Sequence, residues 1–142
     1  ALAGVLAKEA SKGSSGTAQN EKKLPRYVTV FDTVKIQDGI SIEIHHVSNS
    51  HAKRSLLLQV DEEYIFVGDS LYSKAESDCY VYNAQLLKEE IELLKKLPGN
   101  KIFSSHEDRP VKAKAGVIRF LEQIYAKREK NDAYIRIQQN TD

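Results

Sequence analysis

From residue 27 onwards the hydrophobic residues follow the alternating pattern of β-strands. Residues 27–31 are rich in β-forming side chains and predict a first strand. Ile40, Ile42 and Ile44 alternate with polar residues, which predicts a half-buried strand whose isoleucines face the core. The Asp-Gly pair at residues 38–39 predicts a tight turn before that strand.

A second pair of apolar runs predicts a buried hairpin. Residues 56–60 and 64–67 flank a short acidic turn and are apolar along most of their length. If Val60 pairs with Tyr64, the loop before the first of these strands lies at the same sheet edge as the residues that follow the second strand.

Farther along, apolar residues recur at helical spacing in two segments, residues 80–97 and 111–130. Pro98 and Gly99 are expected to end the first helix, and Pro110 is expected to open the second. The predicted apolar face of the first helix consists of Leu87, Ile91, Leu94 and Leu97, and that of the second consists of Val117, Ile118, Leu121 and Ile124.

These elements together predict an α/β fold, with a mixed β-sheet and helices on one face. Short strands are expected at residues 101–104 and 134–137. Residues 1–26 are predicted to form an N-terminal helix followed by a flexible Gly/Ser-rich loop. The remaining residues, 27–142, form the predicted main domain.

Composition narrows the function classes. The chain has 142 residues, with 21 Lys and Arg against 20 Asp and Glu, and this balance argues against a dedicated nucleic-acid binder. A single cysteine, Cys79, excludes an intrachain disulfide, and no apolar run is long enough to predict a membrane helix or a signal peptide. We therefore expect a cytoplasmic protein. The chain begins with Ala and contains no Met, so we expect it to be a piece of a longer product.

Three polar residues lie at the ends of predicted strands. His51 precedes the strand at 56–60, Asp69 follows the strand at 64–67, and His106 follows the strand at 101–104. The hairpin brings the first two to one edge, and a parallel last strand would add His106. Two imidazoles and a carboxylate at one edge predict a divalent-metal site of the zinc type.

Each of these residues also has an ordinary structural interpretation. His51 and His106 would be surface histidines, and Asp69 would cap the segment that follows it. Lys53 and Arg54, beside His51, would belong to a solvated basic loop. The residue types alone leave both interpretations open.

Residues 34–128 resemble the C-terminal half of the metallo-β-lactamase-fold hydrolase superfamily. The run YIFVGDSLY at residues 64–72 resembles the apolar strand of that family that ends in gly-asp. The run VSNSHAKRS at residues 47–55 keeps the His and Ser of the motif thr-pro-gly-his-thr-pro-gly-ser, and KIFSSHE at residues 101–107 resembles the final strand that ends in gly-his. The two predicted helices also fall where the family has helices.

The resemblance implies half of an αββα sandwich and a metal-dependent hydrolase. It implies that His51 binds one metal ion, that Asp69 bridges two and that His106 binds the second, with zinc expected and iron or manganese as alternatives. A metal-held hydroxide would then attack an ester, thioester, lactam or phosphodiester of a small-molecule substrate. Lys53 and Arg54 would hold an anionic substrate group, and Tyr72 would line the pocket.

The main motif of the family, his-x-his-x-asp-his, has no match in this chain. A second hypothesis is therefore a non-catalytic fragment or member that acts as an interaction or assembly module. On either hypothesis we expect an exposed apolar sheet face, through which the chain would form homo-oligomers. A nucleic-acid-associated domain would rest only on loops that carry Lys and Arg, such as Lys53 and Arg54, and the balanced charge argues against it. We therefore expect no nucleic-acid partner and no membrane partner.

Overall fold

The computed structural model describes Tyr27 and residues 29–139, which form two β-sheets and two α-helices. The predicted helix and loop at residues 1–26 lie outside the described residues. The strands of the described part are β1 (Val34–Asp38), β2 (Ile40–Val47), β3 (Ser55–Val60), β4 (Tyr64–Gly68), β5 (Lys74–Ala75), β6 (Cys79–Asn83), β7 (Lys101–Ser104), β8 (Val111–Ala113) and β9 (Tyr134–Gln138). The helices are α1 (Ala84–Lys96) and α2 (Lys114–Tyr125).

The larger sheet has six strands in the order β1-β2-β3-β4-β7-β8, and β4 and β7 are its parallel pair. Both predicted hairpins are confirmed: Gly39, with φ +72°, supplies the left-handed turn between β1 and β2, and Val60 pairs with Tyr64 between β3 and β4. The chain between the parallel strands contains α1, which is the usual crossover for such a pair. The predicted α/β class with a mixed sheet is therefore confirmed.

A separate three-stranded sheet, β5-β6-β9, corrects the predicted start of the first helix. Residues 79–83 form β6, which pairs with β9 from Cys79 opposite Gln138 to Asn83 opposite Tyr134. This segment is rich in tyrosine and valine, which favour a strand when a partner strand is available. The helix begins only after Asn83, whose side-chain Oδ1 accepts a hydrogen bond of 3.0 Å from the Leu86 N–H.

The second helix also begins later than predicted. Residues 111–113 form β8, which pairs with β7, and α2 starts at Lys114. Pro110 therefore precedes a strand, and its carbonyl accepts a hydrogen bond of 3.0 Å from the Ser104 N–H. The pairing of β8 with β7 explains the difference, because residues 111–113 use their backbone hydrogen-bonding groups in the ladder and cannot also join the helix.

Both helices cover one face of the six-stranded sheet, and the predicted helix faces are confirmed. The residues of the two faces are all buried except Ile118, which is partly buried against the same core. They pack with the inward side chains of the sheet, among them Leu57, Ile65 and Ile102, which are fully buried. This layer fixes the ends of β4 and β7, where the candidate metal ligands follow.

The other face of this sheet is uncovered among the described residues. Ile42 pairs with Val60 and Ile44 pairs with Leu58, so the isoleucines of β2 lie on this uncovered face. Ile40 is exposed, and Ile42 and Ile44 are only partly buried. The expectation that these isoleucines face the core was wrong, because the two helices pack on the opposite side.

The predicted strand at residues 27–31 is also corrected. None of its described residues is in a strand, and Tyr27 and Phe31 are highly exposed. The edge of the larger sheet is formed by β1 instead. Without a neighbouring strand, β-forming side chains alone do not produce a strand.

Candidate metal centre

The candidate ligands meet at the edge where β4 and β7 end. Asp69 follows β4 and His106 lies just beyond β7, and the parallel pairing of these strands brings them to the same edge. His51 is in the loop between β2 and β3. The structure thus places the three sequence-predicted residues together.

The Asp69 carboxylate lies between the two imidazoles. Its Oδ2 is 3.9 Å from His51 Nε2, and its Oδ1 is 3.5 Å from His106 Nε2. Asp69 Oδ1 is buried and has no hydrogen-bond partner among the described residues. A buried carboxylate oxygen without a hydrogen bond is costly, and a cation or an additional donor would reduce that cost.

The geometry consists of two imidazole–carboxylate pairs that share Asp69. In the part of the chain that the structure describes, no three His, Cys, Asp or Glu residues form a group able to hold a metal ion. Each imidazole lies beside a different oxygen of the Asp69 carboxylate. Imidazole and carboxylate are nevertheless the donors that zinc, iron and manganese accept, so the residue types fit a bridged pair of cations.

The His51 loop is held by Asn49, which the sequence analysis missed. Only 3% of Asn49 is exposed, and its Oδ1 accepts hydrogen bonds from the backbone N–H groups of His51 and Ala52, at 3.0 and 2.8 Å. Its Nδ2 donates to Ser55 Oγ at 2.9 Å. An Asn that bonds the backbone two residues ahead is a known turn-forming pattern, and this pattern was the available signal.

A second contact ties the same loop to the start of α1. Ser50 Oγ accepts a hydrogen bond of 2.9 Å from the backbone N–H of Asn83, the residue that caps α1. The loop is therefore fixed at two consecutive residues, Asn49 and Ser50, directly before His51.

His106 has an unusual backbone conformation. Its φ is +56°, a left-handed value that few non-glycine residues adopt. The preceding Ser105 N–H donates to the Gly68 carbonyl at 3.2 Å, and the Tyr72 hydroxyl donates to the Ser105 carbonyl. These bonds attach the His106 loop to the segment that carries Asp69.

Tyr72 borders the centre. The centroids of its ring and the His51 ring are 6.3 Å apart, in an edge-to-face arrangement. Burial raises the pKa of the Tyr72 hydroxyl, and the nearby carboxylates of Glu107 and Asp69 raise it further. Tyr72 is therefore a neutral hydrogen-bond donor next to the candidate ligands, and it also lines a cavity beside α2.

The two basic candidates differ in position. Lys53 is exposed and lines a cavity of about 490 Å³ together with His51 and Arg136. Its carbonyl accepts a hydrogen bond of 3.0 Å from Ser48 Oγ. Arg54 is also exposed, but it does not line this cavity.

A buried carboxyl group behind the centre was also missed. Glu90 of α1 is 3% exposed, and burial raises its pKa to about 7, an effect that the neighbouring Ser70 hydroxyl opposes. Ser70 directly follows Asp69 and is itself buried. Position 90 lies three residues after Leu87 on the apolar face of the helix, so the helical period could have indicated its burial.

Comparisons with known proteins add no relatives: no protein-family model matches the chain, and a search of curated proteins gives no match. Within residues 29–139, neither helix has the length and apolar character needed to cross a bilayer.

Proposed function

We propose that this chain provides part of the active site of a metal-dependent hydrolase of the metallo-β-lactamase type, with His51, Asp69 and His106 as metal ligands. The observation that carries the proposal is the position of Asp69, with an imidazole beside each carboxylate oxygen at 3.9 and 3.5 Å. The buried Oδ1 without a hydrogen bond adds support, because a bridging carboxylate would use both oxygens.

The fold adds further support. A mixed sheet with helices on one face and an uncovered apolar second face is the arrangement expected for half of an αββα sandwich. The chain lacks the motif his-x-his-x-asp-his, so a complete centre on this proposal takes further ligands from another polypeptide segment.

The residues of this chain would then have separate tasks. Asp69 supplies the negative charge that holds cations, and His51 and His106 supply neutral nitrogen ligands. A divalent cation held here, zinc with iron or manganese as alternatives, would polarise the scissile bond of an ester, thioester, lactam or phosphodiester and activate water for attack. Lys53 and Arg54 would attract an anionic group of a small-molecule substrate, and Tyr72 would line the pocket mouth.

Zinc binding by the purified chain tests the proposal. Titration calorimetry with Zn²⁺ should give a measurable affinity, and the combined changes His51→Ala, Asp69→Ala and His106→Ala should weaken it at least tenfold. The matched control combines His46→Ala with Asp38→Ala, which removes an exposed histidine and an exposed carboxylate outside the centre. Equal zinc affinity in the triple variant and the control variant would contradict the proposal, provided that circular dichroism shows both to be folded.

A second candidate function is an assembly module, and the uncovered sheet face favours it. Leu56 and Phe66 on this face are 47% and 39% exposed, and Phe66 stacks on Phe103 with ring centroids 4.6 Å apart. Six strands spaced by ~4.8 Å and about five residues long span an area on the order of 500 Å² in the plane of the sheet. Side chains that project from the sheet add to this area, which then approaches the ~800 Å² per partner of a standard interface. We therefore propose that a second copy of the chain covers this face.

The association state tests this second candidate. Analytical ultracentrifugation should show a dimer that the combined changes Leu56→Lys and Phe66→Lys convert to a monomer, because two charges of the same sign in an apolar interface have no partner. Tyr80→Lys, at an exposed aromatic residue of the three-stranded sheet, is the control and should remain dimeric. A monomeric parent chain at high concentration would exclude this function without affecting the metal proposal.

A further inference from the structure

A cavity of about 620 Å³ lies between the first half of α2 and the segment that follows β4. Leu71, Tyr72 and Tyr82 line one side, and Val117, Phe120 and Leu121 of α2 line another. This volume is within the range of ~300–1,000 Å³ that is typical of small-molecule sites, and its lining is mainly apolar and aromatic, as is also typical.

Gly116 is a lining residue at which a larger side chain can be introduced. It lies in the first turn of α2 and lines the cavity, and a Cβ atom added to it would have no atom within 4 Å. Steric crowding therefore does not require glycine at this position.

The charges at the cavity cancel. Glu107 and Lys112 line it and form an ion pair with each other. The Lys112 ammonium group and the Glu107 carboxylate are therefore already paired with each other. A charged ligand would have no free counter-charge from this pair, whereas an uncharged apolar group would lose nothing by entering.

A ligand in the cavity would cover the exposed ring of Phe120. Its side chain is 58% exposed although it borders the cavity. An aromatic or aliphatic group placed in the cavity would cover this ring and remove apolar surface from water.

We propose that this cavity is a binding site for an uncharged apolar group of a small molecule, either an aromatic ring or a short aliphatic chain. The site adjoins the candidate metal centre through Tyr72, but its ligand does not depend on a metal ion. The inference therefore goes beyond the proposed hydrolase function and is tested with metal-free protein.

The probe is indole, an uncharged aromatic molecule, titrated into ¹⁵N-labelled protein in the presence of a chelator. Saturable shift changes are expected at the backbone amides of residues 113–121. The variant Gly116→Leu fills the cavity and should weaken indole binding at least fivefold. Ala115→Leu is the matched control, because Ala115 is exposed on α2 and does not line the cavity; it should bind indole like the parent chain.

A comparison of hexanol with hexanoate tests whether a negative charge on the ligand weakens binding. Hexanol should bind at the same amides, and hexanoate, which has the same chain length but a negative charge, should bind at least fivefold more weakly. Three results would overturn the proposal: no saturable shifts at residues 113–121, unchanged binding in Gly116→Leu, or shifts confined to the exposed sheet face around Leu56 and Phe66. The indole and hexanol measurements use metal-free protein, so they do not depend on whether the variants of His51, Asp69 and His106 lose zinc binding. Each of the two proposals can therefore be contradicted without the other.

Discussion

At the scale of single residues, the candidate centre depends on side chains that are not themselves candidate metal ligands. Asn49 satisfies two backbone N–H groups in the loop that carries His51, and Ser50 attaches that loop to the start of α1. The Tyr72 hydroxyl holds the Ser105 carbonyl, just before His106. The positions of both imidazoles are therefore set by neutral hydrogen bonds.

Replacing Asn49 should test this dependence. Asn49→Ala leaves the His51 and Ala52 N–H groups without their acceptor, and such a loss costs roughly 1–3 kcal/mol in the free energy of unfolding. Zinc affinity should fall as well, since His51 is no longer fixed. Urea unfolding and zinc titration give the two values. Asn100→Ala, at an exposed asparagine, is the control, and equal effects of the two changes would contradict the role of Asn49.

The buried carboxyl of Glu90 predicts a pH dependence of stability. Its pKa is about 7 in the folded chain and 4.5 in the reference state, so the folded chain retains a proton that the unfolded chain loses. Stability should therefore fall as the pH rises from about 4.5 to about 7 and stay level above that, with a total change of roughly 3 kcal/mol from this group.

The variant Glu90→Gln should remove this dependence. It should be more stable than the parent chain at pH 8, and the difference should shrink towards pH 4.5. Chemical unfolding at several pH values measures it. Glu92→Gln, at an exposed position of α1, should show no comparable change across this range; a Glu90→Gln curve parallel to that of the parent chain would show that Glu90 ionises normally.

At the scale of elements, sequence periodicity predicted the helix faces well and the helix starts poorly. The apolar period of α1 and α2 depends on burial against one sheet, and that burial is present. The first residues of α1 and α2 are set by the strands β6 and β8 that precede them. These strands form because β9 and β7 lie beside them. The partner of β6 is distant in the chain and leaves no local signal in the sequence, so residues 80–83 were assigned to a helix. The partner of β8 is the preceding strand β7, and residues 111–113 were assigned to a helix because Pro110 was taken to open it.

The packing of α1 gives a stability prediction. Leu94 is fully buried in the core, so Leu94→Ala should lower the free energy of unfolding by about 2–5 kcal/mol through lost contacts and a residual cavity. Lys96→Ala, at an exposed position near the end of the same helix, is the control and should change it little. A near-zero effect of Leu94→Ala in urea unfolding would mean that this face does not hold the helix to the sheet.

At the scale of the whole molecule, the class of fold and the meeting of His51, Asp69 and His106 could be predicted because both follow from strand order. Successive hairpins and one parallel crossover determine which strand ends share an edge. The direction of the β2 isoleucines could not be predicted in this way. Alternation shows that a strand has an apolar face, but the position of the helices decides which face is covered, and on this sheet they cover the other one.

The parallel pairing of β4 with β7 has a consequence for how the molecule acquires its centre. Asp69 and His106 come together only after the intervening chain, including α1, has closed into a long loop, and closing such loops is slow and entropically costly. The arrangement of Asp69 and His106 would thus be among the last features to appear during refolding. A cation that binds only the closed arrangement would in turn hold the loop shut by mass action, so that added zinc would slow unfolding.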